Sequence, residues 1–220
     1  YTSLLFPERI LSVSGLSVPF NPFNEIAPVT LFKDLYKDAF FYILYFQKVG
    51  IAEKELENNI KKTLRLIYCN SDSFGMKKMI DNASNKNLKP KDKNSTFLEG
   101  MTEPENLPKW LKEEDLEYFT NEFKKSGMYG PLNKYRCMDL DWQELFKLSL
   151  NKIKQPSCFI TGSLDPVNFF IPGVNLFDSV GENYENLKVK ELIDDVGHWT
   201  QQEAPDLSLI HISEPTRPMN

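Results

Sequence analysis

The sequence predicts an α/β protein in which strands of a mainly parallel sheet are interrupted by a long, mostly helical insertion. Three observations carry that expectation. β-leaning runs stand on both sides of the insertion, at Ile10 to Val18, Ser157 to Gly162 and Leu187 to Ile193. Almost everything from Asn24 to Phe146 reads as amphipathic helix and polar loop. The last two strands each run into a turn with reactive side chains, one holding Asp165 and the other His198. Strand, acid, helix, strand, histidine is an α/β order, and chemistry in such sheets sits just beyond the carboxyl ends of strands.

Taken in order, YTSLLFPERI reads as the end of a helix stopped by Pro7 and Glu8, with the first strand following. Thr30 to Gln47 is apolar and aromatic, with helical and extended character mixed. Ala52 to Tyr68 predicts one amphipathic helix, because Leu56, Ile60, Leu64 and Ile67 recur at three- and four-residue steps. From about Asn70 to Glu99 the chain is rich in Asn, Lys, Ser and Asp, and predicts a flexible surface loop. WLKEEDLEYFTNEFKKSG predicts a second amphipathic helix, with Leu111, Leu116, Phe119 and Phe123 on its apolar side and Gly127 as the stop. A further helical piece lies in GPLNKYRCMDLDWQELF, and a helix around Gly173 to Val180 joins the last two strands. The expected organisation is therefore 1–22 core, 23–148 helical cap with a loop at about 70–100, and 149–206 core again.

The ends read as unnatural. A domain rarely begins inside a helix, so upstream sequence is expected. LSLIHISEPTR, Leu207 to Arg217, resembles one translated frame of a common transposase-type sequencing adapter. Pro215 and Pro218 argue against a helix there, and 207–220 is expected to be a non-native tail that includes His211.

With 220 residues the chain has room for one domain, or a domain with an inserted lid. A formal charge of -5 with no lysine-rich face gives no footprint for nucleic acid. Cys69, Cys137 and Cys158 are widely spaced, form no metal-ligand pattern and read as reduced thiols in the cytosol. No apolar run approaches the ~20 residues needed to span a bilayer.

A nucleophilic hydrolase needs a histidine base and a carboxylate that fixes its tautomer. His198 is the only histidine outside the suspect tail, and one helix and one strand separate it from Asp165. That is enough chain for adjacent parallel strands to bring the two loops together. Spacing alone also fits a histidine that merely caps a strand end and an aspartate in an ordinary turn.

Several stretches in one order go further. FITGSLDPV and DDVGHWTQQEAP resemble the acid and histidine loops of epoxide hydrolases in the α/β-hydrolase superfamily. LSVPFNP resembles the strand leading into that family's cap, and FYILYFQKVGIAEKELE its first cap motif. LPKWLKEEDLEYFTNEFKKSGMYGPLNKYR resembles the second. The resemblance runs from about Tyr1 to Asp206, and the Asn70 to Glu99 stretch is its least family-like part.

The resemblance implies the C-terminal part of an α/β-hydrolase fold with a helical cap. It implies Asp165 and His198 as acid and base, and Tyr42 and Tyr135 as the cap tyrosines that polarise the epoxide oxygen. Trp199, Phe46 and Phe20 are expected to wall the pocket, whereas Tyr45 and Tyr129 are read as structural. The family reaction passes through an aspartyl ester to a vicinal diol and requires no metal or organic cofactor. Its nucleophile and oxyanion hole are expected before Tyr1, so this chain alone is expected to be inactive and to fold poorly. The implied substrate is a small apolar epoxide; lipid epoxides, juvenile-hormone-like terpenoids and xenobiotics all fit. Relatives include soluble and membrane-anchored forms, facing the cytosol or the endoplasmic reticulum. A haloalkane or fluoroacetate dehalogenase, a serine esterase and a non-catalytic binding protein of the same fold are the competing readings.

Overall fold

A computed structural model describes residues 1–85 and 91–207. The tail from residue 208 onward, His211 included, lies outside the described residues. The chain divides into two compact units. The first comprises Tyr1–Asn24, Ser71–Lys77 and the chain from Glu144 onward; the second comprises Glu25–Asn70 and Lys78–Gln143.

The first unit is built on a three-stranded parallel sheet in the order β1-β2-β3, with β1 at Val13–Leu16, β2 at Ser157–Gly162 and β3 at Leu187–Ile193. All six residues of β2 are buried, as a central strand covered on both faces requires. Because side chains alternate across a strand, Phe159 packs to one side with Ile153, Val180 and Tyr184. Cys158 and Ile160 pack to the other with Ile193 and Val196. The strand β1 is shorter than the predicted Ile10 to Val18. A 3-10 turn at Pro7–Arg9 delays its start, and Ser17 leaves the extended region at φ 63 just after its end. A one-turn helix α1 at Thr2–Leu5 precedes that 3-10 turn.

The second unit is helical. It holds α2 (Pro28–Leu35), α3 (Tyr42–Phe46), α4 (Ile51–Asn58) and α5 (Ile60–Ser71), then α6 (Ser73–Asn85), α7 (Glu113–Ser126), α8 (Tyr129–Arg136) and α9 (Met138–Ser149). The ends of α5, α6 and α9 continue into the first unit. Its core is Phe46, Ala52, Leu56, Leu64, Leu116, Met128 and Leu132.

Two further expectations are corrected. The single helix over Ala52 to Tyr68 is two helices, because Asn59 adopts φ -149 and ψ 87 and its Oδ1 caps the N–H of Lys62. The stretch read as a flexible loop from Asn70 to Glu99 contains all of α6. Buried Asp72 accepts the N–H of Gly75 at its first turn, while the polar residues that suggested a loop cover its solvent face. Residues 91–99 are also tied down. Lys91 Nζ donates to the carbonyls of Phe97 and Glu99, and Glu55 accepts the N–H groups of Phe97 and Leu98.

Candidate active site

Asp165 sits in the turn after β2, at the start of a 3-10 helix at Pro166–Phe169. Its carboxyl group is wholly buried and shared among three donors. Oδ1 accepts the N–H of Val167 at 2.9 Å, and Oδ2 accepts the hydroxyl of Thr161 at 3.2 Å. The third contact is His198 Nδ1, 3.0 Å from Oδ1. A carboxylate is an acceptor, so this contact assigns the proton to Nδ1 and leaves Nε2 as the basic nitrogen. The imidazole is a quarter exposed, with side-chain exposure of 25% against 0% for its partner. Asp165 and His198 thus stand together as the sequence predicts.

The two loops meet because the backbone allows it. Leu164 N–H donates to Val196 O, and Asp195 N–H donates to the hydroxyl of Ser163. Gly162 ends β2 where a Cβ would lie 2.0 Å from Val196 O, so only glycine lets the strand end press on the histidine loop. Ser17 donates its hydroxyl to His198 O at 2.7 Å and shares a 2.9 Å bond with the Thr200 hydroxyl. The histidine loop is also fixed at His198 N–H, which donates to Ser71 O at 2.9 Å. Composition and periodicity gave no signal for Ser17 or Ser71, since each acts through a long-range bond, nor for Thr161, whose bond to Asp165 four residues on follows no periodic pattern.

Tyr42 and Tyr135 both belong to the second unit and are brought together there. They come from α3 and α8, their rings meet edge to face at 5.6 Å, and their hydroxyls are hydrogen-bonded to one another. Burial raises the Tyr135 phenol above its ordinary range, and the Tyr42 bond offsets part of that rise. Two braces join the helices. Gln47 Nε2 donates to Ile43 O and Tyr135 O, each at 3.0 Å. Arg136 Nε donates to Phe46 O, while its Nη2 lies 2.8 Å from Glu53 Oε1, an ion pair by distance without good hydrogen-bond alignment. The Glu53 carboxyl lies below its usual range. Burial opposes its ionisation, and bonds from backbone N–H groups together with the adjacent Arg136 guanidinium outweigh that.

Among the remaining predicted residues, Trp199 lies edge to face on His198 with centroids 4.9 Å apart. Phe46 is a core residue of the second unit, packed on Tyr42 and Tyr135. Phe20 packs on Tyr1 and Tyr184 at the edge of a first-unit core cluster. Tyr45, read as structural, donates its hydroxyl to Glu55. Among the described residues no cluster of His, Cys, Asp and Glu could hold a metal ion.

Fold and site define a class: the C-terminal strands of an α/β-hydrolase fold with an inserted helical cap. Within that class the chain is similar to epoxide hydrolases. It is 35% identical over 203 residues to epoxide hydrolase A of Mycobacterium tuberculosis, covering 92% of this chain and 60% of that protein. It is 35% identical over 208 residues to the bifunctional epoxide hydrolase 2 of Rattus norvegicus, covering 92% and 34%. Among solved structures, epoxide hydrolase A from Mycobacterium thermoresistibile superposes with a TM-score of 0.84 at 34% identity, over 99% of this chain and 65% of that one. The Vigna radiata enzyme superposes with a TM-score of 0.76 at 32% identity, over 97% and 63%. The chain therefore spans less than two thirds of the relatives it matches. No family model matches it.

Proposed function

We propose that the protein carrying this chain hydrolyses a small apolar epoxide to a vicinal diol. The observation that supports this most is the pair of hydrogen-bonded phenols, Tyr42 and Tyr135. Opening an epoxide builds negative charge on oxygen, and two aimed hydroxyls stabilise and protonate it. A dehalogenase would need donors for a halide, and an esterase would have no use for paired cap phenols.

In the first step an aspartate oxygen attacks an epoxide carbon, the C–O bond breaks and a tyrosine gives the departing oxygen its proton. This leaves a hydroxy ester. In the second step His198 Nε2 takes a proton from water and the resulting hydroxide attacks the ester carbonyl. Collapse of that intermediate frees the diol and returns the carboxylate, and the imidazolium gives its proton to solvent while the phenolate left by the first step takes one back. Asp165 holds the Nδ1 proton and stabilises the imidazolium formed in between. The attacking aspartate is expected upstream of Tyr1. Trp199 walls the site beside the imidazole.

The test uses the full-length protein with His198→Ala, an aryl-substituted epoxide and mass spectrometry of the intact chain. The expected result is diol from the parent protein, and in the variant a stable mass gain equal to the epoxide. Absence of both, or turnover of a haloalkane or carboxylic ester instead, would overturn the proposal.

A further inference from the structure

We infer that Glu203 is a positioning residue for His198, acting through the backbone of the loop that carries the imidazole. Glu203 ends the one-turn helix at Thr200–Glu203, and its N–H bonds to Trp199 O at 2.8 Å. That turn folds its carboxylate back onto the loop before it. Oε2 accepts the N–H of Gly197 at 3.2 Å and that of Ser73 at 2.8 Å. Oε1 accepts the N–H of Trp199 at 3.1 Å.

Gly197 and Trp199 flank His198, so one side chain grips the loop on both sides of the base. Ser73 opens α6 and belongs to the short segment Ser71–Lys77 that the first unit takes from the middle of the chain. The same segment receives His198 N–H at Ser71 O, and Lys77 pairs with Asp195 at 2.9 Å. A Cβ on Gly197 would lie 2.5 Å from the Asp72 carbonyl carbon, so loop and segment are in full contact. Glu203 joins the two by accepting donors from both.

This matters for the chemistry because Asp165 fixes one ring nitrogen only. The imidazole can still tilt about that contact, and the direction of Nε2 follows the backbone at 197–199. A carboxylate with two acceptor oxygens satisfies all three N–H groups. A glutamine of the same shape cannot: whichever way its amide is turned, its NH2 faces at least one N–H and leaves it without an acceptor.

The inference rests on the proposed reading, in which His198 acts on water in the second half-reaction and is not needed for the first. The experiment is transient kinetics on full-length parent and Glu203→Gln proteins with the same epoxide, reading ester formation and ester hydrolysis separately. Ester hydrolysis is expected to slow by about 10- to 100-fold, with ester formation unchanged. A side chain that only stabilised the fold would lower the amplitude of both phases and leave the ratio of their rate constants as it was, which would overturn the inference. A parent protein that forms no ester would instead overturn the functional proposal.

Hydrogen exchange on the parent protein decides the matter if the variant does not fold. The Gly197 and Trp199 amides are expected to be protected to the same degree as His198. Exchange of these two at unprotected rates, with His198 protected, would show that the carboxylate does not hold the loop.

Discussion

At Asp165 a buried carboxyl group meets three donors, and only one of them is the histidine. The other two fix its rotation, so the bond to Nδ1 is set before any substrate arrives. Asp165→Asn keeps the shape but presents an amide to donors that expect an acceptor, and it removes the charge that favours imidazolium. Ester hydrolysis is expected to fall by about 10²–10⁴-fold while ester formation persists, as rapid-quench measurements on the full-length protein would read. Tyr135→Phe should have the opposite signature, with ester formation slowed by about 10²-fold and hydrolysis spared. Tyr135 also links stability to pH. Its folded-state pKa is raised, chiefly by burial, so the folded chain binds the phenolic proton more tightly than the unfolded chain does. That stability is fully present below the ordinary tyrosine value of ~10 and is lost as pH rises from there through the raised folded-state value. Melting temperature should therefore fall above about pH 10, less steeply in Tyr135→Phe than in the parent protein.

Single elements decide whether Asp165 and His198 can meet. The end of β2 touches the histidine loop through Gly162, where even a methyl group would strike Val196 O. Gly162→Ala is expected to cost about 1–3 kcal/mol in urea unfolding and to lower the ester-hydrolysis rate as the loop is pushed away. Elements of this kind differed in how far the sequence disclosed them. The strands Ser157–Gly162 and Leu187–Ile193 were legible to the residue, because β-leaning runs bounded by polar turns leave few alternatives. The helix ending at Ser126 was legible through its apolar steps and the glycine that follows. By contrast α6 was missed, because much of it is solvent-facing and its polar side chains imitate a loop. The break at Asn59 was missed as well, since apolar periodicity runs straight through it. Asp165 and His198 were legible as a pair because histidine is scarce in this chain and because FITGSLDPV and DDVGHWTQQEAP resemble acid and histidine loops. Glu203, Ser17 and Ser71 were not, because their partners are distant in sequence or are main-chain groups that no side-chain pattern reports.

For the molecule as a whole, the sheet is the vulnerable part. Among the described residues β1 pairs with β2 alone, so its other edge presents unpaired N–H and C=O groups. Expressed as these 220 residues, the chain is expected to self-associate and to unfold without a sharp transition. A monodisperse monomer by light scattering with cooperative melting would contradict that. Joining β1 to β2 has a further cost, paid in time. Val13 lies beside Ser157, with the whole helical insertion between them in sequence. Closing a loop of that length costs ~4 kcal/mol of chain entropy before the first bond between β1 and β2 forms. Neighbouring helices such as α4 and α5 face no such delay, whereas α3 and α8 close a loop almost as long where Gln47 meets Tyr135. Slow pairing of β1 also delays the bonds from Ser17 to His198 and Thr200, so the histidine loop is expected to gain that support only when the sheet is complete.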